Sequence, residues 1–232
     1  MTKGIFITGT GTDIGKTYAT ALIIKKLREA GYNTGYYKAA LSGAEEKDGK
    51  LIPGDAEYVC KTAGIDKDPA ECVSYIYKNA YSPHLAALLE GNPVEMDVVV
   101  DDFKKAAMEY SYLTVEGSGG IVCPIRYDKK IMLEDIVKTL GLPSIIIADA
   151  GLGTLNSIVL TVEYMRARGL KVNGIILNNC HTGSLLEENN AKMAEELTGV
   201  KILAKIEHGA NDIDTDASVL AEAYEDVEVP KK

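Results

Sequence analysis

No stretch of this sequence approaches the ~18 consecutive apolar residues that a membrane-spanning helix needs. The first apolar stretch, around Ile5 to Ile7, is too short for the core of a secretion signal. These two absences predict a cytoplasmic protein with no membrane partner. Basic residues are in deficit: 25 Lys and Arg against 34 Asp and Glu give a formal charge of −9. A general nucleic-acid binder would want a basic face, so that class is disfavoured. Cysteine is sparse, at four residues, Cys60, Cys72, Cys123 and Cys180. None forms a CxxC pair or a clustered zinc spacing, which predicts reduced, buried thiols. There is no internal repeat, no low-complexity linker and no change of composition along the chain. What is present is 46% hydrophobic and 25% charged residues in a chain of 232. That balance excludes disorder, a collagen-like rod and a disulfide scaffold. A chain of this length buries roughly 70% of its unfolded surface and forms a core without staples. One domain over residues 1–232 is the economical reading.

Short β-rich apolar runs alternate with helical patterns. Strands are expected at 3–8, 34–38, 112–116, 144–148, 172–177 and 201–206. Helices are expected at 17–30, 55–63, 83–90, 97–110, 154–168, 185–197 and 216–224, several stopped by glycine. Residues 39–54 read as a loop, and the last four as a frayed end. Run 144–148 is apolar without alternation, as in a strand covered on both faces. Strands separated by helices imply right-handed crossovers. The fold class is therefore α/β, a mostly parallel sheet with helices on both faces.

The strongest local signal is GTGTDIGKT at 9–17, between the first strand and the first helix. Glycines let backbone N–H groups turn toward a phosphate, and a helix N-terminus adds positive potential. Lys16 can reach the outer phosphates, and the Thr17 hydroxyl can hold Mg²⁺. The match to G-x-x-x-x-G-K-[ST] has its first glycine one place early, at Gly9. Flanked by strand and helix, the pattern marks a P-loop and an ATP-type ligand. Such a site needs acidic partners beyond the carboxyl ends of strands. Glu116, before the run Gly117-Ser118-Gly119-Gly120, fits. Asp55 fits as well, although a plain helix N-cap is equally consistent with it. Lys38, read as the end of the second strand, is either a surface lysine or a group facing the terminal phosphate. His84 reads as helix-start packing, His181 and His208 carry no assignable role, and Tyr36-Tyr37 reads as strand packing.

Four segments stand in order: GTGTDIGKT, YKAALSG, SPHLAA and VEGSGG. Together they closely resemble the dethiobiotin synthetase family, from Thr8 to about Asn179. The resemblance implies a P-loop NTPase fold. It also implies an ATP-dependent cyclo-ligase that joins CO₂ to the two amines of 7,8-diaminopelargonate as a cyclic urea. It further implies that Lys16 and Lys38 bracket the γ-phosphate and carbamate, and that Thr17, Asp55 and Glu116 hold Mg²⁺. Thr12 and Ser42 would touch carbamate or diamine. Asp13, Ile14, Gly15, Lys16, Thr17 and Tyr18 would line the ATP site with Glu116, Gly117, Ser118 and Gly119. Asn178 would read the adenine. Gly153, Thr154, Leu155 and Asn156 open a helix that would bind the substrate carboxylate across a homodimer interface; read alone, Thr154 is a helix cap. The sequence departs from the family pattern at Gly11, Ala39 and Ala204-Lys205-Ile206-Glu207.

Two other functions share such a loop. A partition or septum-placing ATPase would carry a signature lysine in Gly9–Thr12, and none is there. An amidotransferase-type cobyrinate enzyme would need a glutaminase domain, for which 232 residues leave no room.

Overall fold

The computed structural model describes residues 2–227. Strands in chain order are β1 (Lys3–Gly9), β2 (Thr34–Ser42), β3 (Glu45–Lys47), β4 (Lys50–Ile52), β5 (Val73–Tyr77) and β6 (Tyr112–Glu116). They continue as β7 (Pro124–Arg126), β8 (Ile131–Met132), β9 (Ser144–Asp149), β10 (Val172–Cys180), β11 (Ile202–Glu207) and β12 (Glu225–Asp226). The helices are α1 (Lys16–Glu29), α2 (Gly54–Ala63), α3 (Pro83–Glu90), α4 (Met96–Glu109), α5 (Leu133–Leu140), α6 (Thr154–Ala167), α7 (Leu185–Thr198) and α8 (Ala217–Glu222).

The central sheet runs β11-β10-β9-β1-β6-β2-β5 with every neighbouring pair parallel. β12 adds antiparallel beside Lys3 and Gly4, where β9 has not yet begun to pair with β1. Alternate residues of a strand face opposite sides. Ile5 and Ile7 therefore pack with α1 and α8, while Phe6 packs with the layer containing α4, α5, α6 and α7. All three are at most 1% exposed. Burial of each contributes roughly 1.5–3 kcal/mol, enough to fix the register of β1 and hence where its end delivers the P-loop. A third apolar cluster joins α1 and α2 to Tyr36 and Leu41 of β2.

The structure corrects several expectations. β2 continues through Ala39, Ala40 and Leu41 to Ser42, because the unforeseen strand β5 pairs with Lys38 to Ser42 and holds it extended. Lys38 therefore lies inside the strand. The remainder of the expected loop folds into the antiparallel hairpin β3–β4. α2 opens at Gly54 after an extended Pro53, so Asp55 sits in the first turn and caps nothing. Thr154 is likewise not a cap: Gly153 occupies that place at φ 91°, and the buried Thr154 hydroxyl has no partner. β10 runs on to Cys180, which puts Asn178 within the strand. The terminal helix is shorter than expected and is followed by β12. α5 and the β7–β8 pair were also unforeseen. All four cysteines are free and buried. The end expected to fray lies outside the described residues. Among those residues, no helix is long and apolar enough to cross a membrane.

Candidate active site

The end of β1 and the start of α1 form a donor-lined turn. Gly15 caps α1 in the left-handed region at φ 84°, no side chain caps the helix, and its first turn carries no acidic residue. The first amides of α1 and its dipole are thus free for an anion. Ile14 folds back over Gly9, where a Cβ would lie 2.4 Å from the Ile14 Cδ1. Behind the loop, Asn178 Nδ2 donates to the Ile14 carbonyl at 2.9 Å. Lys16 is 8% exposed, and its Nζ donates to the Gly11 carbonyl at 2.9 Å, drawing the loop closed. On the far side the glycine run after β6 comes close, with Gly117 against the Phe6 ring and Gly120 near the Gly9 carbonyl.

Strand register assembles the charged groups. Glu116 ends β6 opposite Ile7 of β1 and Lys38 of β2. The Glu116 Oε1 accepts from Thr17 Oγ1 and from Lys38 Nζ, each at 2.7 Å, and its Oε2 accepts from the Tyr36 hydroxyl at 3.0 Å. Lys38 Nζ also donates to Asp55 Oδ2 at 2.5 Å. Burial pushes the Lys38 ammonium down, but Glu116 and Asp55 outweigh it and hold its pKa above the ordinary lysine value. Lys16 goes the other way: burial lowers its pKa, with Glu116 opposing and Lys38 adding to the fall. Burial, then the Glu116 charge, drives the Tyr36 phenol well above its usual range.

Thr17, Lys38, Asp55 and Glu116 line one cleft of about 580 Å³ with Lys16. Two carboxylates and a hydroxyl form an oxygen donor set suited to Mg²⁺, which takes one or two protein carboxylates and fills its shell with water and phosphate oxygens. The Lys38 ammonium between the carboxylates shows that the position draws a cation. Among the described residues no cluster of three or more His, Cys, Asp or Glu forms a closed metal cage.

A family model described as an AAA domain matches residues 3–211. An ATP-dependent dethiobiotin synthetase of Clostridium botulinum is 51% identical over 97% of this chain and 99% of its own. Another, of Brachyspira hyodysenteriae, is 53% identical over 92% of this chain and 96% of its own. The chain belongs to the dethiobiotin synthetase family. Two solved structures of lower identity share its fold. A ParA family ATPase from Chlorobium tepidum has TM-score 0.56 at 15% identity, covering 91% of this chain and 87% of its own. The septum site-determining protein MinD with Mg-ADP from Pyrococcus horikoshii has TM-score 0.53 at 17% identity, covering 89% and 82%.

Of the residues that the dethiobiotin synthetase resemblance singles out, the cleft brings together Thr12, Asp13, Gly15, Lys16, Thr17, Tyr18, Lys38, Ser42, Asp55, Glu116, Gly117, Ser118 and Gly119. Ile14 is not in its lining and packs on Gly9 instead. Ser118 Oγ is tied to the Ala40 carbonyl at 2.8 Å. Gly153, Thr154, Leu155 and Asn156 do not line the cleft of their own chain. Asn178 is 3% exposed and faces the P-loop backbone. A larger cavity of about 910 Å³ lies at the ends of β10 and β11, and its lining includes Lys26, Cys180 and Glu207. It carries no phosphate loop, so we place the chemistry in the smaller cleft. The Tyr18 hydroxyl donates to the Ala210 carbonyl, linking a wall of the cleft to one of this cavity. Sequence reasoning missed Tyr58, which lines the cleft with its ring 6.4 Å from that of Tyr18. Its place three residues after Asp55 on one helix was the signal available. The histidines are peripheral: His84 Nδ1 lies 3.0 Å from Ser82 Oγ, and His181 Nδ1 lies 2.9 Å from Glu187 Oε1, a partner the sequence spacing did not reveal.

Proposed function

We propose that the chain is a dethiobiotin synthetase, a cyclo-ligase using MgATP, CO₂ and 7,8-diaminopelargonate. One amine takes up CO₂ as a carbamate, the carbamate oxygen receives the terminal phosphoryl group of ATP, and the second amine closes the urea ring with loss of phosphate. Thr17, Asp55 and Glu116 would hold Mg²⁺, which would supply charge neutralisation to the phosphates. The chain's own task is positioning and electrostatics. The free amides at Gly15 to Thr17 cradle phosphate. The Lys16 and Lys38 ammonium groups flank the transferred group, and their preorganised charge favours the developing negative charge over water. Thr12 and Ser42, on the cleft's rim, reach the carbamate or diamine.

The observation that carries this reading is the convergence of Lys16, Thr17, Lys38, Asp55 and Glu116 on one cleft. We read residues 1–232 as one domain, and a cytoplasmic location accords with its small-molecule substrates. A homodimer completes the site. Thr12 also belongs to a groove of about 640 Å³ whose other wall is Leu160, Thr161 and Tyr164 of α6. The start of that helix, Gly153 to Asn156, would serve the cleft of the second copy. The switching-ATPase reading rests on fold similarity alone.

The test mixes protein, diaminopelargonate, bicarbonate and MgATP. The expected result is ADP and the ureido product in equal amounts. ADP without the ureido product would overturn the assignment.

A further inference from the structure

We propose that Cys60 and Cys72 are a thiol-modification site: a reversible disulfide pair that staples α2 to the edge of the sheet. Cys60 lies in the last turns of α2, and Cys72 closes a 3₁₀ turn, Pro69–Cys72, that leads directly into β5. Their sulfurs are 3.9 Å apart, and the two residues are 3% and 4% exposed. A disulfide needs about 2.05 Å. Side-chain rotation at the ends of two short segments can close the remaining gap. The other two cysteines have no such neighbour: the Cys123 thiol faces the Pro124 carbonyl and the Cys180 thiol faces the Leu177 carbonyl.

The surroundings assign roles within the pair. The hydrogen bond from Cys72 favours the Cys60 thiolate against the opposing effect of burial, and Lys67 and Arg28 add to it. The same contact holds the Cys72 proton on. Cys123 and Cys180 are both pushed up to about 11, chiefly by burial. Position supplies access. β5 ends the strand order of the sheet, and Lys61, Gly64, Asp66, Asp68 and Glu71 around the pair are exposed. The pair lies at the edge of the sheet among exposed segments, where local opening gives access.

The oxidant is a low-molecular-weight disulfide. The Cys60 thiolate attacks one of its sulfurs and releases the first small thiol. Cys72 then gives up its proton and attacks the Cys60 sulfur, which releases the second. Two cysteine thiols are oxidised to one disulfide, and the small disulfide is reduced to two thiols. The bond fixes the far end of the helix whose first turn holds Asp55.

The experiment treats the full chain with oxidised glutathione and reads intact mass, peptide map and thermal midpoint. The expected result is loss of two hydrogens, one Cys60–Cys72 peptide, and a midpoint raised by roughly 5–10 °C and restored by dithiothreitol. MgATP affinity should stay within about twofold, because the bond lies away from the phosphate groups. Cys72→Ser should trap glutathione on Cys60, and Cys60→Ser should trap none. A map showing no Cys60–Cys72 peptide, bridges to Cys123 or Cys180, or an unchanged midpoint would overturn the proposal. The wild-type map decides it even if a variant fails to fold.

Discussion

At the scale of the residue, the site turns on two lysines in one cleft whose pKa values move in opposite directions. Lys38 touches two carboxylates, whereas Lys16 makes only a carbonyl contact. Lys38→Ala would leave Glu116, whose side chain is 0% exposed, without its charge partner. Removing one member of a buried pair costs about 3–5 kcal/mol, an upper limit here because Asp55 is 42% exposed. We expect turnover to fall roughly 10²–10³-fold with a lowered unfolding midpoint. Unchanged turnover would remove Lys38 from the chemistry. The raised Lys38 pKa means its stabilising charge is complete below the ordinary lysine value and lost only as pH rises through a still higher one. Lys16 has the opposite sign. Its folded form gives up the proton below 10.5, so the charge that grips phosphate fades first on the alkaline side. MgATP binding, followed by calorimetry as pH rises toward the ordinary lysine value, should weaken and take up protons. Lys16→Arg keeps its proton and should flatten that trend; a trend that persisted would place the titration elsewhere.

At the scale of the element, the P-loop works because β10 stands directly behind it. A Cβ on Gly15 would lie 2.1 Å from Asn178 Nδ2, at a φ of +84° that side chains rarely adopt. Gly15→Ala should therefore lower MgATP affinity at least about tenfold, the equivalent of roughly 1.4 kcal/mol. Asn178→Ala alone frees the Ile14 carbonyl and loosens the loop. In the double variant the clash is gone, so the two losses should sum to more than the loss observed. Strict additivity in titrations of the four proteins would show that Asn178 does not brace the loop. Asn178 also marks the limit of what the sequence disclosed. Strand, glycine turn and lysine announced the P-loop, and the β6 glycine run announced Glu116, because both are contiguous patterns. The brace is a contact between positions 164 residues apart, which no local pattern carries. The same reasoning accounts for the elements that went unseen. β5 alternates Val73, Tyr75 and Tyr77 inward, but with only 5 residues it fell beneath the surrounding loop signals. α5 has 8 residues, as the foreseen α3 has, but Met132 stands before it where Ser82 and Pro83 mark the start of α3. Asp55 stood open between cap and metal ligand because its companion Lys38 lies in a strand rather than in the same helix, and only the β2–β6 register sets that lysine opposite Glu116.

At the scale of the whole molecule, the remaining question is how Gly153 to Asn156 could serve a cleft they do not line. Val122 and Leu160, 58% and 62% exposed, line the groove that shares Thr12 with the cleft. Apolar side chains exposed together are commonly covered by another protein. The proposed homodimer would cover them and bring the partner's α6 start, with its helix dipole, to the substrate end of the site. Leu160→Glu sets a charge into that surface while leaving the P-loop, Lys38 and Glu116 untouched. Sedimentation should then show the mass of one chain. The KM for the diamine should rise roughly tenfold or more, since a charge at the centre of an interface costs more than about 1.4 kcal/mol. The Kd for MgATP should remain within about twofold, because Leu160 is not among the residues that line the cleft. A variant that stays dimeric with wild-type kinetics would show that this surface is not the interface. A monomer with full diamine affinity would show that each cleft is complete within its own chain, and Gly153 to Asn156 would then lose their role.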